Sequence, residues 1–319
     1  MNRFFTVVLL ASFILSCGKG VGLQFSDKGR SVPKFSSDSA FNFIKTQVDF
    51  GPRVPNTAGH VETREYLESK MKEYAGTNAV FSQEFTADGY DETLKMANII
   101  AAFNTSSADR IMLSAHWDTR PRADEDTSRT DEYIPGADDG GSGVGVLLEL
   151  ARIFEQNPPP IGVDIVLFDG EDYGTQGDLK KYFLGSRYWS ENPPVPGYNP
   201  RFGILLDMVG AKNAIFAKES YSMSYAPNLV DEIWGIAAEK NYSNLFVNEK
   251  GAGVLDDHYI IYTNTKIPTI DIINHSVGDD GNTQFAPHWH THQDDLPIID
   301  KRTLQAVGDV LLELIYNRI

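Results

Sequence analysis

Short apolar runs alternate along this chain with stretches in which hydrophobic residues recur every three or four positions. Residues 98–103, 111–116, 163–168, 202–209 and 269–273 have the length of buried strands and lack the strict alternation of a half-exposed sheet. Between and after them, 144–154, 179–189, 229–240 and 303–315 carry apolar residues at helical spacing. Nearer the start, Asp38 and Ser39 predict the cap of a helix running through Val48. Thr57 predicts the cap of another, whose Val61, Leu67, Met71 and Tyr74 lie near one face. This order predicts an α/β fold, a three-layer sandwich in which a mostly parallel central sheet carries helices on both faces. There is no internal repeat at a fixed period.

The first residues follow a different pattern. Arg3 precedes an apolar run over 4–15 that is too short for a permanent membrane span and ends at a small residue, Ser16. Ile14-Leu15-Ser16-Cys17 resembles the bacterial lipobox, and Cys17 is the one cysteine of the chain. The expected division is a lipoprotein signal peptide at 1–16, a tether at 17–36 rich in Gly, Ser and Lys, and one large domain at 37–319. The lipobox resemblance implies an exported protein, anchored through lipidated Cys17 at the cell envelope, on the outer membrane or the periplasmic face. A simple signal peptide with an incidental thiol is the alternative. A single cysteine permits no disulfide framework, so the 319-residue chain, 41% hydrophobic, must be stabilised by its core. Twenty-eight Lys and Arg against forty-four Asp and Glu give a formal charge of -16, which disfavours nucleic acid as a partner and suits cations.

In α/β folds chemistry gathers beyond the carboxyl ends of the strands. Here IMLSAHWD ends in His116 and Asp118, VDIVLFDGED ends in Asp169, Glu171 and Asp172, and FGILLDMV carries Asp207. Asp138 and Asp139 precede a Gly-rich turn that opens a helix, and PHWHTHQDD supplies His288, His290, His292, Asp294 and Asp295. Carboxylates and histidines from separate strand ends are the donor set of a zinc site with an open position; magnesium or calcium would prefer oxygen throughout. Glu171 beside Asp172 is the most telling pair. Adjacent residues leaving a strand point different ways, so one carboxylate can bind metal while the other faces substrate as a proton carrier. Taken singly, Asp118, Asp138 and Asp169 read equally well as ordinary acids that cap helices and end strands, or as supports for the ligands around them. His288 and His292 read as solvated surface positions.

In series, HWDTR, PGADDGGSG, FDGED, LLDMVG and WHT resemble the zinc-dependent exopeptidase superfamily, which includes secreted bacterial aminopeptidases and the glutaminyl cyclases of animal type. The resemblance extends to GPRVPNTAGH and covers most of the mature chain. It implies Asp139, Asp172 and His290 as zinc ligands and Glu171 as general acid and base. His116 and Asp207 match the ligands of a second metal in the aminopeptidases. GSR after FDGED, LLDMVGAKNAIF, the LDDH that contains Asp256 and Asp257, and Trp289 before His290 resemble the cyclase branch. That branch implies one zinc, with Asp207 and Asp256 in a hydrogen-bond network and Trp289 walling the pocket; a core aromatic is the plain reading of Trp289. Two residues depart from the animal cyclases: Asp172 stands where they carry Glu, and Asp271 where they carry His.

The resemblance implies cyclisation of N-terminal glutamine to pyroglutamate with release of ammonia, on peptides or proteins that begin with glutamine. Glu171 would carry a proton from the attacking α-amine to the departing ammonia, with Asp207 steadying the transfer. The alternative is an aminopeptidase with two zincs, in which Asp139 bridges them and Glu171 activates water. A peptide- or glycan-binding lipoprotein on the same scaffold is a third reading, opposed by the intact Glu171 and full ligand set. The acidic stretch 123–132 reads as a solvated loop, with calcium binding or a pocket rim as the functional options, and 278–281 as a turn.

Overall fold

A computed structural model describes residues 23–278 and 280–319. The signal-peptide segment, Cys17 and the start of the tether lie outside the described residues. Four strands run parallel in the order β4 (Gly162–Phe168), β3 (Arg110–His116), β5 (Gly203–Asp207), β8 (Thr269–Ile273). On the β4 side, β2 (Thr93–Phe103) and then β1 (Val80–Asp88) extend the sheet antiparallel. A second sheet of short strands has the order β10 (Thr283–Phe285), β9 (His275–Val277), β6 (Phe216–Lys218), β7 (Phe246–Lys250).

All seven residues of β4 are buried, as a strand covered on both faces requires. Its side chains divide by the strand period of two: Val163, Ile165 and Leu167 enter one core, Val166 and Phe168 the other. The larger core is built with α1 (Ser37–Asp49), α2 (Ala58–Ala75), α3 (Gly141–Gln156), α6 (Pro227–Glu239) and α8 (Lys301–Glu313), which contribute Ile44, Leu67, Leu147, Ile233 and Val307. The smaller core takes Trp189 from α4 (Leu184–Glu191) and Ile261 from α7 (Asp257–Thr265). The short α5 (Ser220–Tyr225) packs near β8. This is the expected sandwich. Because β3, β4 and β5 are parallel and in register, His116, Asp169 and Asp207 emerge at one edge.

Several expectations are corrected. The first helix is capped by the Ser36 hydroxyl, which accepts from the Ser39 N–H, not by Asp38 or Ser39. The helix expected over 179–189 is broken: a single 3-10 turn at Leu179–Lys181 precedes Phe183, left-handed at φ 59°, and α4 starts only at Leu184. The Phe183 and Leu184 N–H groups donate to the Glu171 and Gly170 carbonyls, so the chain bonds back onto the turn after β4 instead of continuing a helix. From Ser26 on, the stretch read as a tether lies against the body. The Ser26 and Lys28 N–H groups donate to the Arg318 and Asn317 carbonyls, and Phe35 is buried in the larger core. Among the described residues no helix is long and apolar enough to cross a membrane.

Candidate metal centre and active site

Asp139 sits at the turn into α3. Its N–H and that of Asp138 donate to Asp294 Oδ2 and Oδ1 (3.1 and 2.7 Å), which fixes both carboxylates. Gly140 follows at φ +81°, where a Cβ would meet the Asp118 carbonyl oxygen at 2.6 Å; glycine is what allows this turn to lie against His116. Asp172 leaves the turn after β4, held by Asp118: Oδ1 and Oδ2 of Asp118 accept the Glu171 and Asp172 N–H groups at 3.0 and 3.2 Å. His290, left-handed at φ 55°, brings Nε2 to 3.2 Å from Asp172 Oδ2 and 3.7 Å from Asp139 Oδ2.

One donor atom from each of Asp139, Asp172 and His290 falls within 4.8 Å of the others, and Asp172 Oδ2 is buried without a hydrogen-bond partner. Two carboxylate oxygens and an imidazole nitrogen, with one oxygen left orphaned, fit zinc with three protein ligands and an open position. A second group shares Asp139. His116 Nε2 lies 3.1 Å from Asp139 Oδ1 and 3.3 Å from Asp207 Oδ1.

The electrostatics separate the acids. Burial, reinforced by the charge of Asp172, pushes the Glu171 carboxyl well above the usual range. Asp172 goes the other way: burial opposes it, but His290 and Arg120 hold it low. Asp207 is also pushed well up by burial, although His116 pulls against the shift. Asp256, whose side chain caps α7, is raised by burial, and its Oδ2 has no partner. Asp271 on β8 is buried, and burial with the charges of Asp256, Asp207 and Glu219 raises it well above the ordinary value.

Nearby, Glu219 accepts from the Ser222 N–H and hydroxyl (2.6 and 2.7 Å), the Tyr221 and Val254 N–H groups (2.8 and 3.0 Å), and faces His258 Nε2 at 3.2 Å. Burial pushes its pKa up, but His258 and these donors win and hold it at about 2. A depressed carboxylate stabilises the fold above its unfolded value of 4.5 and loses that contribution as pH falls towards about 2. Denaturant titrations should therefore show the parent losing on the order of 3 kcal/mol more than Glu219→Gln across that interval. Parallel curves would contradict it.

Several residues with no assigned role in the sequence prove central. Arg53, from GPRVPNTAGH, is buried with its guanidinium donating to the Trp117, Pro135 and Gly136 carbonyls (2.8, 2.8 and 2.6 Å). Burial lowers its pKa to about 10 against the opposing charges of Asp294, Asp118 and Asp139. Arg53→Met leaves these carbonyls unpaired and is expected to destabilise the protein by roughly 3 kcal/mol or more, read from chemical denaturation; a loss below about 1 kcal/mol would contradict this role. Asp169 accepts the Ala97 N–H and meets His60 Nε2 at 3.0 Å, while the His60 ring stacks on Trp117. Asp118, Asp138 and Asp169 thus act as supports.

The solvated readings of His288 and His292 are corrected. His288 is buried and its Nε2 lies 3.0 Å from Asp138 Oδ2, while Asp138 Oδ1 accepts the Gly210 N–H. His292 is partly buried, with Nδ1 2.8 Å from Asp126 Oδ2. The acidic loop is tied down at its start, where Asp124 and Asp126 meet Arg120 and His292 and Asp124 and Glu125 line the cleft, while residues 127–132 are exposed as expected. The expected turn after Gly278 is present, the Gly278 N–H donating to the Asn282 carbonyl.

The cleft over these groups has a volume of about 190 Å³. That is below the roughly 300–1,000 Å³ typical of sites for drug-sized ligands, and it suits one residue's side chain. Met208, Val254 and Ile273 form an apolar wall with Phe285 and Trp289. Trp289 is half-buried and stacks on His290 with ring centroids 3.7 Å apart, so it both packs and lines the cleft.

Residues 98–315 match peptidase family M28, and the chain belongs to that family. Among solved structures it is similar to the glutaminyl cyclase of Bacteroides thetaiotaomicron bound to N-acetylhistamine: 46% identical, covering 90% of this chain and 99% of that one, with a TM-score of 0.84. It is equally similar to a Zn-dependent exopeptidase from Parabacteroides distasonis, at 44% identity, 90% and 100% coverage and a TM-score of 0.85. A curated relative, aminopeptidase YwaD of Bacillus subtilis, is 27% identical over 219 residues; the match spans 68% of this chain and 42% of that relative.

Proposed function

We propose that this protein is a zinc-dependent glutaminyl-peptide cyclotransferase, which closes an N-terminal glutamine to pyroglutamate and releases ammonia. The observation that carries this reading is the 46% identity to a glutaminyl cyclase over almost the whole of both chains, combined with a metal-ligand trio beneath a one-residue cleft.

Asp139, Asp172 and His290 would hold the zinc, which when bound polarises the side-chain amide carbonyl of the glutamine. The uncharged α-amine attacks that carbon, the bond to the amide nitrogen breaks, and ammonia leaves. Glu171, poised by burial to take up a proton, accepts one from the amine and returns it to the leaving nitrogen. Asp207 and Asp256, whose affinity for protons is raised by burial, stand beside the reacting centre and orient the transfer. Trp289, Phe285 and Met208 line the cleft with apolar surface that would disfavour water, whose attack would give hydrolysis instead.

The second metal group, His116, Asp139 and Asp207, favours a second reading: an aminopeptidase with two zincs. Metal content separates them, since the cyclase reading expects full activity with one zinc per chain. Activity that needs a second equivalent would favour the aminopeptidase.

The placement is also part of the proposal: a signal peptide at 1–16, lipidated Cys17 as anchor, a single catalytic domain at 37–319 against which the chain from Ser26 packs, and residence at the cell envelope. Cys17→Ser is expected to move the protein from the membrane to the soluble fraction; a variant that stays with the membrane would contradict the anchor.

A further inference from the structure

We propose that Arg120 is a positioning residue for the metal site, and that the segment from Arg120 to Asp126 is a strap that sets the geometry of two zinc ligands from opposite sides, Asp172 and His290. The proposal rests on the assignment of those two residues as zinc ligands, but not on the reaction catalysed.

Arg120 is 1% exposed. Its Nη1 donates to Asp172 Oδ1 at 2.7 Å and to the Asp172 carbonyl at 3.2 Å, while Nε donates to Asp124 Oδ1 at 2.7 Å. The guanidinium also lies 5.5 Å from the centre of the Tyr182 ring, within reach of a cation–π attraction. One oxygen of Asp172 is thereby committed, and only Oδ2, buried and without a hydrogen-bond partner, turns towards His290. A carboxylate clamped in this way offers a single oxygen in one direction. An aspartate has few torsions with which to find that direction, and the fork of Arg120 supplies it.

The same segment reaches the other ligand. Asp124 Oδ1 lies 3.6 Å from His290 Nδ1, and the Glu125 N–H donates to the His290 carbonyl at 3.3 Å. Two residues on, Asp126 Oδ2 accepts the His292 N–H at 3.0 Å and faces His292 Nδ1 at 2.8 Å. These contacts bracket the left-handed backbone at His290, a conformation that a histidine holds only when its surroundings over-determine it. A purely stabilising ion pair would need only Arg120 and one acid. Here one guanidinium joins a ligand to a loop that faces the ring of the second ligand with a carboxylate and bonds to its carbonyl and to the residue two further on.

The test is zinc affinity, measured on the full chain by competition with a chromogenic chelator for the parent, Arg120→Met, Arg120→Lys and Asp124→Asn. Loss of such outer contacts weakens metal binding about 10–100-fold, and Arg120→Met is expected in that range. Arg120→Lys keeps a cation on Asp172 but loses the fork, and should recover part of the affinity. Asp124→Asn should weaken zinc several-fold and guards against Arg120→Met failing to fold. Thermal denaturation of the metal-free proteins supplies the contrast: a merely structural role lowers their stability and leaves affinity unmoved. Zinc affinity within about twofold of the parent in both Arg120→Met and Asp124→Asn would overturn the proposal. A parent chain that binds zinc but fails to cyclise glutamine would sink the functional reading and leave the strap intact.

Discussion

Glu171→Gln is expected to lower kcat on a peptide beginning with glutamine by about 10²–10⁴-fold, the range that a positioned proton carrier supplies. The substitution preserves the shape of the side chain and the Glu171 N–H bond to Asp118 that holds Asp172 in place. Zinc affinity and KM should therefore change little, and the loss should fall on kcat. The environment sets this expectation. Glu171 stands against the charge of Asp172 in a buried site that keeps its affinity for protons high, whereas Asp172 is held ionised by His290 and Arg120. An amide at 171 can neither take the amine proton nor return it to ammonia. A variant retaining more than about a tenth of the parent kcat would remove Glu171 from the reaction.

Removal of the metal is expected to have an effect at least as large. Polarisation of a carbonyl by zinc is worth several kcal/mol, so chelation should reduce turnover by about 10³-fold or more. Zinc should restore it, with one equivalent sufficing. His290→Ala should mimic the loss and resist rescue, because the two remaining carboxylate ligands, Asp139 and Asp172, come from one edge and lack the nitrogen donor that brings them into a closed set. Full activity in thoroughly chelated protein would contradict the assignment of the site.

Much of this arrangement was legible in the chain. The apolar runs ending in His116, Asp169 and Asp207 became neighbouring parallel strands, and the edge at which they end is where the ligands meet. The resemblance carried the ligand trio without help from the fold. What the chain did not disclose depends on partners far apart in sequence. Asp294 looked like another ligand of the late His-rich segment, yet it spends both oxygens on the N–H groups of Asp138 and Asp139, some 156 and 155 positions away. His288 and His292 looked solvated because nothing near them in sequence announces Asp138 or Asp126. Strand β1 was missed for a different reason: as an edge strand it buries only Gln83 and Phe85, so its pattern is too weak to stand out. The break at Phe183 was hidden because the helical spacing is genuine, and only the carbonyls of Gly170 and Glu171, brought close by the fold, override it.

The most direct test of the central claim is to incubate the zinc-loaded chain with a peptide beginning in glutamine and weigh the products, with Glu171→Gln as the control for spontaneous closure. The account predicts loss of one ammonia from an otherwise intact peptide, at a rate far above that control. Release of free glutamine with a shortened peptide would contradict it, and would assign His116 and Asp207 to a second zinc.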